Sequence, residues 1–197
     1  MRSYPVNEIL DLLCHRLRWV EASTMHKVLE GKVNASSDLS ASLRYLCKKG
    51  MVERHVVNCS EALTLVPILT SSTIDPLESA TALKLLTTQS QGVWHATQFY
   101  CASRIAAGLY GSQYSQPNSV LEWYAHRRMA NAFLHHLDES NVKRCKWWAV
   151  EVKSDQPKIL LAVFNLTWLC VPFEVNQRTL NRILIRIRKK GFRYEVW

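Results

Sequence analysis

The stretch Leu43-Arg-Tyr-Leu-Cys-Lys-Lys-Gly-Met-Val-Glu-Arg-His-Val-Val57 (LRYLCKKGMVERHVV) decides how the first third of the chain is read. Leu39, Leu43, Leu46 and Cys47 recur at helical spacing, and the helix stops at Lys49-Gly50, where glycine takes a left-handed turn at little steric cost. Met51 to Val57 then alternates as a strand does. Residues 58–61 read as a turn and 62–69 as the strand that returns.

Upstream, Ile9, Leu10, Leu13, Leu17 and Val20 form one apolar stripe of a first helix. Met25, Val28 and Leu29 supply the buried face of a second, closed by Glu30-Gly31. Three helices followed by a hairpin is the predicted order of the first 70 residues. The chain carries 25 Lys and Arg against 16 Asp and Glu, a net charge of +9, which favours a polyanionic partner. The six cysteines include no C-x-x-C pair, so no zinc ribbon is indicated. Free cysteines in apolar surroundings point to a reducing, cytoplasmic setting. The N-terminus lacks a secretory apolar core, and the longest apolar run, Ile159 to Phe164, is too short to span a bilayer.

LRYLCKKGMVERHVV resembles the third helix and first wing strand of winged-helix DNA-binding domains. The resemblance implies that the third helix enters the major groove and the wing lies along the backbone. Ser36, Ser37, Ser40, Ser42 and Arg44 would then face DNA, with Arg44 able to read guanine. Lys48, Lys49, Arg54 and His55 would hold phosphates. A plainer role for Lys48 and Lys49 is to complement the helix dipole. Winged helices also dock proteins, so the fold alone does not fix the function.

Thr70 to Pro76 reads as a linker, 94–110 (WHATQFYCASRIAAGLY) as a helix, and 111–118 as a loop. Its Trp94, Phe99 and Tyr100 suit base stacking or, more plainly, a core. Ser119 to Leu137 is a helix with Ser119 as its cap. Three strand-like runs follow, at 143–154, 158–165 and 168–175, then a basic amphipathic helix at 176–190 and a strand at 192–197. Leu180, Ile183, Leu184 and Ile187 form one stripe of that helix; Arg178, Arg182 and Arg186 form another.

This αβββαβ order is similar to the core of the PD-(D/E)xK nucleases. That resemblance implies an Asp on the second strand and a Glu-x-Lys on the third, holding Mg²⁺ and activating water. In one register the set is Asp155 and Glu174, with Glu122 from the preceding helix; the lysine position is then held by Asn176, which supplies no charge. In the other register, Lys146-Trp-Trp-Ala-Val-Glu-Val-Lys-Ser-Asp155 supplies Glu151 and Lys153, although the plainer reading turns both to solvent from a half-buried strand. The block FEVNQRTLNRILIRIRKK resembles replication-relaxation-type proteins of plasmids and other mobile elements, which join a winged helix to a nuclease-like domain. It departs from their pattern at Asn176, where they carry an acid.

The expected fold class is α+β, an N-terminal winged helix followed by an α/β domain of αβββαβ, restriction-endonuclease-like order. The expected units are residues 1–70, a linker and helical connection at 71–118, and a nuclease-like domain at 119–197. The expected function is a sequence-specific DNA-binding regulator of a mobile element acting in replication, transfer or transcription. The rivals are a Mg²⁺-dependent endonuclease and a protein-interaction module built on a dead nuclease fold. Double-stranded DNA is the expected partner, with a homodimer and a replication or phage protein as further candidates; no membrane partner and no cofactor are expected, save Mg²⁺ if the protein is a nuclease.

Overall fold

In a computed structural model the described residues are 6–29, 36–60, 66–71, 80–81, 84, 94–114, 116–117, 119–139, 150–151, 158–164 and 166–197. The fold over these residues is α+β, with two sheets.

The chain opens with α1 (Val6–Asp11), which widens into a π-helical segment, Leu12–Arg16. Then come β1 (Val20–Glu21), α2 (Ala22–Val28) and α3 (Ser36–Lys48). Helix α3 ends as its sequence predicts. Gly50 takes φ +67°, its N–H donates to Cys47 O at 3.0 Å, and Met51 N–H reaches back to Leu46 O at 3.0 Å. Those two bonds satisfy carbonyls that the helix end would otherwise orphan. The chain thus turns directly into β2 (Val52–Ser60).

The partner of β2 is β4 (Trp94–Ala102), and this corrects two expectations. Residues 94–102 are a strand, not part of a helix; the helical portion is the short α4 (Arg104–Leu109), capped by the Ser103 hydroxyl, which accepts from Ala106 N–H. The described strand alongside β2 is β4, paired from Val52 opposite Ala102 to Ser60 opposite Trp94, so residues 58–60 continue the strand where a turn is expected. Residues 61–65 lie outside the described set, while β3 (Leu69–Thr70) pairs with the last strand of the chain. The misreading has a physical cause. Phe99, Tyr100, Cys101 and Ala102 are all buried because both faces of this end of the strand are covered, so the alternation that marks a half-buried strand is lost. Phe99 and Tyr100 are core residues. The first sheet has the order β1-β4-β2, entirely antiparallel.

The second sheet is built from β5 (Val150–Glu151), β6 (Lys158–Phe164), β7 (Thr167–Glu174) and β8 (Arg193–Val196), with β3 on its edge. Its order is β3-β8-β7-β6-β5; β8 runs parallel to β7 and the other pairs are antiparallel. Helix α6 (Gln177–Lys189) makes the crossover between β7 and β8. One face of the sheet (Leu160, Ala162, Leu169, Val171) joins the main core with Phe133 of α5 (Val120–Glu139). The other (Ile159, Leu161, Cys170, Tyr194, Val196) packs on Leu180, Leu184 and Ile187 of α6. A sheet buried on both faces demands continuous apolar strands, which is why KILLAVF and TWLCVPF read as runs rather than as alternations.

Helix α5 spans about 30 Å at 1.5 Å per residue and touches both sheets. Its Trp123 meets Trp19 and Phe99 beside the three-stranded sheet, and its His136 meets Glu195 of the five-stranded one. Among the described residues, no helix is long and apolar enough to cross a membrane.

Candidate nucleic-acid interface

Helix α3 buries Leu39, Leu43 and Leu46 and exposes Ser40, Arg44, Lys48 and Lys49; it also buries Ser42, which corrects the expectation that this serine faces DNA. Ser40, Arg44 and Lys48 are four residues apart, so they form one solvent-facing stripe along the helix. Ser36 and Ser37 begin the same helix. Lys49 lies 5.8 Å from the ring of Tyr45, itself 46% exposed, and this contact gives the lysine a local partner besides the helix dipole.

Strand alternation splits the two wing residues named from sequence. Arg54 sits with Val52 on the face toward α3, opposite Tyr100, and is exposed; its positive charge is felt at Cys47 of α3. His55 lies on the other face. Its ring packs 5.1 Å from Trp19 and 5.6 Å from Trp123, and its Nε2 is 3.4 Å from a Glu53 carboxylate oxygen. The fold therefore gathers Ser40, Arg44, Lys48 and Arg54 on one side of the N-terminal unit and places His55 behind the sheet.

A second basic surface is the outer side of α6. Arg178, Arg182 and Arg186 are exposed at four-residue spacing, with Arg188, Lys189 and Lys190 exposed at its end. The helix contains no acidic residue. Its N-cap is Asn176, whose side-chain oxygen accepts from Thr179 N–H at 2.9 Å.

For the nuclease registers, Asp155 and Lys153 lie outside the described residues. Glu151 pairs with Leu160 across β5 and β6, and Glu174 ends β7 opposite Lys158. Glu122 is buried in the first turn of α5, where its backbone N–H donates to the Ser119 hydroxyl.

Sequence reasoning missed the polar groups around α5. Arg127 forms an ion pair with Glu21 of β1, and both side chains are mostly buried. Burial pushes the Glu21 carboxyl above its ordinary value, and the adjacent Arg127 charge opposes this without cancelling it. Arg128 is 3% exposed, with its guanidinium 4.7 Å from the Tyr124 ring centroid. His126 is buried, and its Nε2 has no hydrogen-bond partner among the described residues; burial, helped by the nearby Arg18 charge, lowers its pKa to about 3. On the face of the three-stranded sheet that carries His55, Glu53 also accepts a 2.9 Å hydrogen bond from the Tyr114 hydroxyl, and Cys101 stands directly across from it on β4. The Glu-x-His spacing on a predicted strand was the available signal for part of this cluster, since residues two apart share a face.

No protein-family model, no curated protein and no solved structure matches this chain.

Proposed function

We propose that the protein is a sequence-specific DNA-binding regulator, with α1 to β4 acting as a winged helix and the β5–β8 unit as a nuclease-like fold that binds rather than cuts. The observation that carries this reading is the exposed stripe of Ser40, Arg44 and Lys48 on α3, with Arg54 on the same side of the adjoining strand. The element order supports it: helix, short strand, two helices and two long strands, closing a sheet of order β1-β4-β2. The net charge of +9 and the acid-free outer side of α6 favour the same polyanionic partner. Assignment to plasmid, phage or other mobile-element control rests on the resemblance of residues 173–190. Paired half-sites, and hence a homodimer, are the usual geometry for such a reader.

Cleavage is not part of the proposal. Where the resemblance places a charged residue, this chain has Asn176, and that side chain is engaged as the cap of α6.

The test is a mobility shift on the gene's own upstream region across a salt series, with a parallel Mg²⁺ cleavage gel. Binding is expected to weaken steeply, each phosphate contact adding about 0.9 to the slope of log K against log salt. Arg44→Ala should cost about 1–3 kcal/mol on the preferred site, while Lys48→Ala should weaken all sequences alike and reduce the slope by about 1. A flat salt response overturns the reading. Nicking that disappears in Glu174→Ala or Glu151→Ala replaces it with an endonuclease.

A further inference from the structure

We propose a divalent-metal site of zinc chemistry on the face of the three-stranded sheet that packs on Trp19 and Trp123, with Glu53 and His55 of β2 and Cys101 of β4 as ligands and Tyr114 holding the carboxylate. The backbone makes the cluster. Glu53 and His55 are two apart on one strand, so both project from the same face. The antiparallel register sets Cys101 directly opposite Glu53. One ligand atom from each of the three lies within 4.8 Å of the others, and Glu53 Oε2 is 3.4 Å from His55 Nε2. Tetrahedral zinc, with bonds of about 2.0–2.3 Å, requires its donors to stand roughly 3.3–3.8 Å apart. Small side-chain adjustments therefore close the set around an ion.

The donor types select the metal. A thiolate, an imidazole and a carboxylate suit zinc, whereas magnesium and calcium take oxygen ligands almost exclusively. The surroundings match a metal centre beyond its ligands. The Tyr114 hydroxyl donates to Glu53 Oε2 at 2.9 Å, which orients the carboxylate. Trp19 and Trp123 flank the His55 ring and fix its plane. Phe99 and Trp123 belong to the same buried cluster as Cys101, forming an apolar wall. The half-exposed side of Glu53 and His55 gives an entry path, and three protein ligands leave a fourth position for water. The bound ion would pin β2 to β4. None of this depends on whether the protein binds DNA.

The experiment is a Co²⁺ titration of the full chain, untagged and stripped with chelator, read by absorbance. The expected result is a near-ultraviolet thiolate-to-cobalt charge-transfer band that saturates at one equivalent per chain and is abolished by Zn²⁺. Cys101→Ser should lose the band, while Cys47→Ser, on the opposite side of the sheet, should keep it. Because Cys101 is buried, two part-exposed positions check the assignment in chains whose fold is verified by circular dichroism. Glu53→Gln should bind at least about tenfold more weakly, and Tyr114→Phe about 10- to 100-fold. Absence of the band in the unaltered chain overturns the site and leaves Glu53, His55 and Tyr114 as a metal-free polar cluster. Unchanged binding by both Glu53→Gln and Tyr114→Phe also overturns it.

Discussion

The two ends of α5 treat buried polarity differently. At its C-terminal end, His136 Nε2 and Trp197 Nε1 both lie 2.9 Å from the Glu195 carboxylate. Burial works against that charge, but the hydrogen bonds from His136 and Trp197 outweigh it and hold Glu195 below its ordinary value. At the N-terminal end, Trp19 Nε1 and His126 Nε2 are buried without hydrogen-bond partners among the described residues, and the Glu21 carboxyl is raised despite Arg127. Buried polar groups in folded proteins are nearly always satisfied, so unsatisfied ones mark places where stability has been given up. One helix therefore ends in a settled network beside the five-stranded sheet and in an uncompensated one beside the three-stranded sheet. Of these two ends, the one beside the three-stranded sheet carries the cost, and it is also the side with the candidate metal ligands.

The sharpest way to break this comparison is at Arg127 and Glu21. Removing one member of a mostly buried ion pair strands the other charge, so Arg127→Met should destabilise by about 3–5 kcal/mol. Because burial already outweighs attraction at Glu21, the double change Glu21→Gln with Arg127→Met should recover most of that loss. Urea unfolding of both single variants and the double variant measures the coupling. A double variant as unstable as the two single losses added together would show that the pair is not the source of the cost.

A smaller effect, and one confined to the same end, is acid sensitivity from His126. In the folded chain its imidazole stays neutral down to about pH 3, while its ordinary value is 6.5. Between those values the unfolded chain binds the extra proton, so stability falls as pH falls, by about 1.4 kcal/mol per unit for this one group. Unfolding free energies at about pH 7 and about pH 5 should therefore differ by roughly 2 kcal/mol more in the unaltered chain than in His126→Gln. Glu195 acts in a lower window: its stabilisation is present above the ordinary carboxyl range and is lost as pH drops through its depressed folded value. Equal pH slopes for the two proteins would mean that His126 is solvated in the native state.

Much of the five-stranded sheet was legible because packing on two faces writes itself into unbroken apolar runs, and the stripe of Leu180, Leu184 and Ile187 announced which side of α6 would be buried. Gly50 announced the end of α3. The three-stranded sheet was harder. Its long partner strand is separated from β2 by residues 61–93, and pairing over such a distance leaves no local signal. With β4 read as a helix, Cys101 had no reason to stand beside Glu53, so the cluster could not be assembled from sequence. Arg54 and His55 were grouped by charge, although a period of two already assigned them to opposite faces. Ser40 and Arg44 were legible as exposed positions of α3, but Ser42 was grouped with them although helical spacing sets it between the buried Leu39 and Leu46.

The smallest predicted effect tests the far side of the comparison, at the start of α6. Asn176 has the extended backbone of an N-cap, and its side chain takes the Thr179 N–H, so Asn176→Ala should cost about 1 kcal/mol. Asn176→Lys removes the same bond and adds a positive charge at the positive end of the helix dipole, so it should cost slightly more. It also supplies the lysine that the nuclease resemblance lacks. If the position were merely a damaged catalytic site, the lysine would be nearly neutral for stability and would favour Mg²⁺-dependent nicking. If the cap is its function, the lysine lowers the unfolding midpoint and plasmid stays intact. The second outcome is expected, because the Asn176 side chain already satisfies a backbone donor at the head of α6, and a lysine has no acceptor to offer it.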